Sequence, residues 1–402
     1  MNLVNGLLGI AVIFLIAIFL SDDKKSINWR TIIIGFSIQL LFAFLVLKLP
    51  VGKYALEKLS QMVTSLIGYA NEGINFLFGA AIPQDGGMIF AFQVLTVIIF
   101  ISSLVSVLYY LGIMQIIVGV IGGLLAKILG TSKVETLSAA ANIFLSQTEA
   151  PLLIKPYIAK LSTSELFTVM VGGLASVAGS VLVGYNLMGV PLDYLIAASF
   201  MAAPAGLIMS KIIIPEDRSK ELEDEITFQK GDSANVVDAA EKGASEGLQL
   251  ALNIGAMLLA FISIIALVNG IIGALGRVVG IQDLSLETIL GLLFFPIAIV
   301  IGVPREEALV AGSLIGQKLV LNEFVAFGKF TPMIGALSPK AVAIITFSLC
   351  GFANISSIAI LIGGIGGMAP ARKGEVAKLG FKAIVAGTLA NLLSATLAGI
   401  FI

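Results

Sequence analysis

Residues Asn142 to Pro156 read Asn-Ile-Phe-Leu-Ser-Gln-Thr-Glu-Ala-Pro-Leu-Leu-Ile-Lys-Pro. The stretch opens with an amide, sets Ser146, Gln147, Thr148 and Glu149 side by side, and closes on Pro151 and Pro156. Proline lacks a backbone donor and clashes with the preceding turn, so no uninterrupted helix runs through it. The flanks on both sides are apolar. A polar block with helix breakers inside oily sequence predicts irregular backbone at membrane depth. Such backbone is stable only where it is buried in protein or lines a wet cavity. The remainder of the chain reads as what holds and moves this site.

The surrounding composition agrees. Of 402 residues, 58% are hydrophobic and 12% charged, and the mean hydropathy is +1.05. A soluble domain carries about 25% charged residues, so an all-α polytopic membrane protein is expected. The net charge of −1 gives nothing for nucleic acid to bind. The 43 glycines fit close helix packing and broken helices. One cysteine, Cys350, excludes an intrachain disulfide and a thiol metal cluster. The chain has no histidine, which removes the usual general base, proton relay and metal ligand together.

A crossing needs about 20 mostly apolar residues. Toward the N-terminus these fall at about Leu3–Leu20, read as a retained span and not a signal peptide, Thr31–Leu47 and Ala91–Leu111. The turn with Lys24, Lys25 and Arg30 is basic, which places it inside the cell and the N-terminus outside. Val51–Phe78 has an apolar edge (Leu56, Leu59, Val63, Leu66, Ile67) and reads as a helix lying on the outer interface. Residues 120–160 read as a re-entrant hairpin. Leu166–Val183 is a span interrupted at Gly172–Ser180, and Leu192–Ile214 is the next. Residues 216–246, with Glu216, Asp217, Arg218, Glu221 and Glu225, read as a solvated connector. Beyond it come a long span (Leu248–Leu275), a second hairpin (284–330), a span interrupted at Cys350–Ser357 and a last span (Phe381–Ile402) ending outside. The count is eight spans and two hairpins. The organisation is a scaffold over 1–119, a first core over 120–215, the connector, a scaffold span over 247–283 and a second core over 284–402.

The two interruptions match. Gly173-Leu174-Ala175-Ser176-Val177 aligns with Gly351-Phe352-Ala353-Asn354-Ile355, and each follows an acidic hairpin tip, Glu149 or Glu323. The first half enters from inside and the second from outside, so the repeat is inverted. Paired interrupted segments at corresponding positions point to a transport site at the bilayer midplane.

Glu149 and Glu323 are the acids set deepest in apolar sequence. A carboxylate at the bilayer centre costs about 2.5–3.5 kcal/mol on insertion scales, so it needs partners or a use. One use is to accept hydrogen bonds from a polar solute. The bland alternative is an internal pair with Lys155, Lys318 or each other. Gln147, Thr148, Asn354 and Ser357 supply donors and acceptors of both senses, which suits a neutral heterocycle or sugar better than an ion. Asn142 and Ser176 offer neutral oxygens beside unwound backbone, where sodium is the expected coupling ion. Lys318 and Arg305 are expected to balance charge at the second hairpin. Cys350 and Met209 read as packing, and Phe352 as core or a stacking surface.

Three blocks carry a resemblance: Gln147-Thr148-Glu149-Ala150-Pro151-Leu152, Asn322-Glu323-Phe324-Val325-Ala326, and Cys350-Gly351-Phe352-Ala353-Asn354-Ile355-Ser356-Ser357. With them the chain resembles, over essentially its whole length, the sodium-coupled bacterial concentrative nucleoside transporters. The resemblance implies a homotrimer in the bacterial inner membrane, each protomer with a moving domain of hairpins and broken spans. It implies that Gln147, Thr148 and Glu149 meet a nucleobase, with Val181 and Phe352 packed near it. Glu323, Asn354 and Ser357 would take the ribose hydroxyls. The side chains of Asn142 and Ser176, with carbonyls near Leu145 and Val177, would hold one sodium ion. The chain departs from that family's usual pattern at Ser146, Lys155 and Arg305. The expected function is sodium-driven import of nucleosides, uridine and other pyrimidine nucleosides among them, by an elevator-like alternating access. Proton coupling in the same fold is the nearer alternative. An intramembrane enzyme with Glu149 and Glu323 as acid and base is the remoter one.

Overall fold

In lipid, a chain must satisfy its own backbone donors and acceptors locally, and long apolar runs do so as helices. The computed structural model describes residues 2–82, 89–216, 233–278, 280–281 and 284–402, and among them every regular element is helical. The first half contains α1 (Asn2–Phe19), α2 (Trp29–Leu47), α3 (Pro50–Phe78), α4 (Phe90–Gln93), α5 (Leu95–Tyr110) and α6 (Ile113–Leu129). It continues with α7 (Lys133–Ala141), α8 (Lys155–Ile158), α9 (Thr163–Ala175), α10 (Gly179–Leu187) and α11 (Leu192–Ile213). The second half contains α12 (Val236–Val278), α13 (Leu286–Val300), α14 (Ala308–Val320), α15 (Glu323–Phe330), α16 (Pro339–Leu349), α17 (Ser357–Met368) and α18 (Lys373–Phe401).

From α6 and from α13 the element order is the same: an apolar helix, two helical limbs joined at a turn, a half-helix, a break, a second half-helix and a long helix. Local chemistry fixes the boundaries. α6 ends at Gly130, whose φ of +67° only glycine adopts freely. Ser132 then opens α7 with its backbone N–H on the Glu135 carboxylate (3.1 Å). Ser162 opens α9 by the same reciprocal device with Glu165. Asn322 opens α15 by accepting from the Val325 N–H (2.9 Å), and Ser338 opens α16 with Pro339 in the first turn.

Six segments among the described residues are long and apolar enough to cross a membrane: Trp29–Leu47, Phe90–Tyr110, Thr163–Leu187, Leu192–Ile213, Val236–Val278 and Pro370–Phe401. Shorter apolar helices, Val4–Phe19 and Ile113–Leu129 among them, accompany these. Burial separates centre from periphery. The windows in Thr163–Leu187 and Leu192–Ile213 are 94% buried, whereas that in Val236–Val278 is 6% buried. α9, α10, α11 and α18 therefore form the interior, and α12 runs along its outside against α5.

Some boundaries differ from the sequence reading. α12 starts at Val236, inside the stretch read as a connector. Its polar residues there occupy an exposed helical face, with Lys242 paired to Asp238 (3.0 Å). Gly243 and Gly247 let α12 lie directly on α5: a Cβ at Gly247 would stand 2.8 Å from the Ile99 Cα. Asp217, Arg218, Glu221 and Glu225 lie outside the described residues. α3 is one continuous helix of 29 residues. The stretch read as a hairpin from residue 120 contains the end of α6, and the paired limbs begin at Lys133.

The base of α7 is fastened by charge. Lys211 of α11, 4% exposed, reaches the Glu135 carboxylate at 2.6 Å. It also pairs with Glu216 and donates to the Ser164 hydroxyl (3.1 Å) at the start of α9. A buried ammonium shared between two carboxylates and a hydroxyl is satisfied, and breaking such a pair from one side leaves an uncompensated charge.

Candidate functional site

The polar block of residues 142–149 is the turn between α7 and its partner limb, and it rests on the first break, residues 176–178 between α9 and α10. Two contacts seat it. The Gly179 N–H, at the start of α10, donates to the Phe144 carbonyl (2.9 Å). Gly173 of α9 lies so close that a Cβ there would stand 2.8 Å from the Gln147 Cβ, so only glycine admits the turn at this depth.

Within the turn the polar side chains part ways. Asn142 donates through Nδ2 to the Ser138 carbonyl (2.9 Å). Its Oδ1 is buried and has no hydrogen-bond partner among the described residues. Ser176 donates its hydroxyl to the Gly172 carbonyl (2.9 Å), which leaves its oxygen lone pairs available. Gly172 also touches the Asn142 amide: a Cβ at Gly172 would lie 3.2 Å from Nδ2. The Leu145 and Val177 carbonyls, both outside helices, accept no backbone hydrogen bond among the described residues. A buried amide oxygen without a partner is costly unless something fills it. The donor set here is neutral oxygen only, which suits a hard cation.

Glu149 folds back onto its own turn, where Oε2 accepts from the Ser146 N–H (2.7 Å). Thr148 shares a hydrogen bond with the Ser146 hydroxyl (3.1 Å) and packs on α17, where a Cβ at Gly364 would stand 2.9 Å from its methyl. Gln147 is buried and points to the second break: Nε2 lies 3.5 Å from the Ser357 hydroxyl, and Oε1 has no partner among the described residues.

The second break spans residues 350–356, between α16 and α17. Asn354 organises it. Its Oδ1 accepts from the Ser357 N–H (3.0 Å), the Ser357 hydroxyl (3.0 Å) and the Ser356 hydroxyl (2.7 Å). Its Nδ2 donates to Glu323 Oε2 (3.0 Å). The Tyr185 hydroxyl of α10 donates to Glu323 Oε1 (3.1 Å), and its ring packs on Phe324 and Phe327 with centroids 4.7 and 4.4 Å away. Val181, buried, stands one turn before Tyr185 on the same face of α10.

The two breaks touch. The Phe352 N–H donates to the Ser176 carbonyl (3.1 Å), and the Ile355 N–H donates to the Leu319 carbonyl of α14 (3.1 Å). Asn391 of α18 joins both: Nδ2 donates to the carbonyls of Ala175 (2.6 Å) and Cys350 (3.0 Å). Its Oδ1 accepts from Lys318 Nζ (2.7 Å), which also donates to the Ser348 carbonyl (3.1 Å).

The structure thus brings Gln147, Glu323, Asn354 and Ser357 into one buried cluster, and Asn142, Ser176 and Gly172 into a second beside it. It does not bring the Glu149 carboxylate to Glu323 by any hydrogen bond among the described residues. The internal ion pair that served as the bland alternative is not there: no described pair joins Glu149 or Glu323 to Lys155, Lys318 or each other. Lys318 faces the charge of Glu323 without a direct ion pair, its ammonium being held by neutral oxygens, and Arg305 is exposed. No motif in the sequence singles out Tyr185 or Asn391. Each looks like packing in an apolar helix. The signal that could have found Asn391 is an amide in a helix otherwise made of small and aliphatic residues.

Residues 8–81 match the family model of the Na+ dependent nucleoside transporter N-terminus, residues 194–399 its C-terminus, and residues 91–192 a nucleoside recognition model. An uncharacterised transporter of Bacillus subtilis is 55% identical across the full length of both chains. The nucleoside permease NupC of Helicobacter pylori is 49% identical over 99% of this chain and 97% of its own. The human sodium/nucleoside cotransporter 1 is 38% identical over 98% of this chain and 63% of its own. The structure of CNTnw in an inward-facing substrate-bound state superposes with a TM-score of 0.96, at 52% identity over 100% of this chain and 98% of the other. A variant of CNTnw in an outward-facing state gives 0.95 at the same identity and coverage.

Proposed function

Because the chain belongs to the Na+-dependent nucleoside transporter family, we propose that it imports nucleosides, pyrimidine nucleosides included, and that sodium drives the uptake. The observation that carries this reading is the convergence of the 142–149 turn and Glu323 on the second break. There a fixed acceptor, Glu323, is linked through Asn354 and Ser357 to Gln147, whose amide oxygen is unfilled.

Each group has a role. Glu323 accepts from the ribose hydroxyls, a task for which a carboxylate held in place by Tyr185 and Asn354 is well suited. Asn354 and Ser357 complete the ribose side. Gln147, Thr148 and Glu149 read the base edge, with Val181 and Phe352 as apolar walls. A solute without the hydroxyls leaves buried acceptors unpaired, which is a strong basis for rejection. Asn142 Oδ1, the Ser176 hydroxyl and the carbonyls of Leu145 and Val177 hold the sodium ion, and the partnerless Asn142 oxygen supports that assignment. The cation sits on the same turn as Gln147. Filling it orders the turn that the nucleoside must meet, and this couples the two binding events.

The protein works as a homotrimer in the bacterial inner membrane, both termini outside. The hairpins and broken spans of the two inverted repeat cores move, elevator-like, against a scaffold that includes α1, α2, α5 and α12, with the stretch that ends before Val236 as the inside connector. The test is uptake of labelled uridine into proteoliposomes with an inward sodium gradient, with choline replacing sodium, and with a proton gradient alone. Uptake that requires the sodium gradient supports the reading. Uptake that follows the proton gradient overturns the sodium assignment.

A further inference from the structure

The mechanism above leaves one buried charge unused. Lys318 lies in the last turn of α14 and is 1% exposed. Among the described residues it joins no direct ion pair, and the carboxylate that acts on its charge from farther away is that of Glu323. Its ammonium is held by two neutral oxygens, Asn391 Oδ1 (2.7 Å) and the Ser348 carbonyl (3.1 Å). That carbonyl is free because its usual partner in a continuing helix, the Phe352 N–H, donates across to Ser176 instead. Lys318 therefore sits at the C-terminal end of the half-helix α16, where unpaired carbonyls and the helix dipole favour a cation.

The first repeat presents a related arrangement with no side-chain cation in it. There the half-helix α9 ends at Ser176, and the limb α7, which corresponds to α14, ends at Asn142. An amide oxygen faces the carbonyl end of a half-helix there too, but it stands on the limb itself, Asn142, where the second repeat takes its amide from α18, and it is without a partner among the described residues. The two ends are tied to one another by Asn391, which donates to Ala175 and Cys350 and accepts from Lys318.

We propose that Lys318 is a tethered cation: its ammonium fills in the second repeat the place that a mobile cation takes in the first, and it thereby positions Asn391 and the end of α16 for the Glu323–Asn354 cluster. This rests on the sodium reading given above. One half-helix end is permanently neutralised and only the other exchanges its ion. The order of the sodium dependence is then set by which repeat carries the lysine.

The test uses the full-length protein in proteoliposomes, with labelled uridine and a series of sodium concentrations. Wild type gives a hyperbolic sodium curve. Lys318→Ala removes the tether and leaves its oxygens open, so uptake at low sodium falls about tenfold or more. It recovers at high sodium or with added ethylammonium, and the sodium curve becomes sigmoidal. Lys318→Met fills the same space with an apolar chain, so its uptake stays low at every sodium concentration and ethylammonium has no effect. A residue that merely packs would not separate alanine from methionine in this way. Sodium-dependent melting in detergent supplies a readout without transport: the alanine variant gains more stability from sodium than wild type does. An unchanged hyperbolic curve in the alanine variant, equal behaviour of the two variants, or an alanine variant that fails to assemble at every cation concentration overturns the proposal. If wild type itself takes up uridine without sodium, the sodium reading fails instead, and the two failures are distinct.

Discussion

The 142–149 turn and the turn before Glu323 hold corresponding places in the two repeats, yet they are built oppositely. The first is long and leaves oxygens open: Asn142 Oδ1 and Gln147 Oε1 are buried without partners. The second is tight, its acid is already engaged by a phenol and an amide, and what it leaves open is a donor, the buried Asn322 Nδ2, not an acceptor. A site with open acceptors changes on filling, because something must enter to satisfy them. A site with its acceptor held in place is ready before the ligand arrives, and preorganisation of that kind reduces the cost of binding. On the function proposed above, the difference puts the adjustable step in the first repeat and the fixed recognition in the second.

Four substitutions test that contrast. Glu323→Gln removes the charge from the prearranged side and should lower uridine uptake by about a hundredfold or more, since a charged acceptor lost from a buried site costs several kcal/mol. Uptake near wild type in a properly assembled protein would break the assignment of Glu323 to the solute. Asn142→Ala acts on the open side and should raise the sodium concentration for half-maximal uptake by about tenfold, with the uridine dependence at saturating sodium little changed. A shift in uridine affinity alone would reverse the division of labour. Tyr185→Phe deletes one hydrogen bond to Glu323 while leaving the ring stacking, and should weaken uridine binding by about tenfold at constant sodium dependence, as measured by competition uptake. The smallest effect belongs to Ser146→Ala. The hydroxyl it removes supports Thr148 and the Glu149 N–H, whereas the Ser146 N–H that holds the Glu149 carboxylate remains. A change of about threefold or less in uridine half-saturation is expected, and a larger one would show that the turn is less independent than its open oxygens imply.

Much of the architecture is legible in the chain because bilayers punish exceptions. Pro151, Pro156 and the polar run before them mark the first turn, and the matched glycine blocks at Gly173 and Gly351 mark both breaks. Glu323 is legible for the same reason: no acid is set at such depth without a purpose. What escapes is whatever depends on partners far along the sequence. Lys318 reads as a counter-charge, but the Ser348 carbonyl and Asn391 that hold its ammonium come from α16 and α18, far along the chain. Tyr185 looks like any aromatic of an apolar helix, and only the fold sets its hydroxyl on Glu323. Glu149 is legible as important, but its use inside its own turn depends on a local backbone bend that its side chain does not announce. The start of α12 escapes as well, because charged residues on the outer face of a helix resemble those of a loop.

The amide of Asn391 grips the last carbonyl of α9 and the first carbonyl beyond α16 at once. Both interruptions therefore hang from one rivet, and α18, which carries it, is the keel to which they are fixed. Tilting either half without the other would shear those two bonds, so the two interruptions shift together, like two planks bolted to one beam.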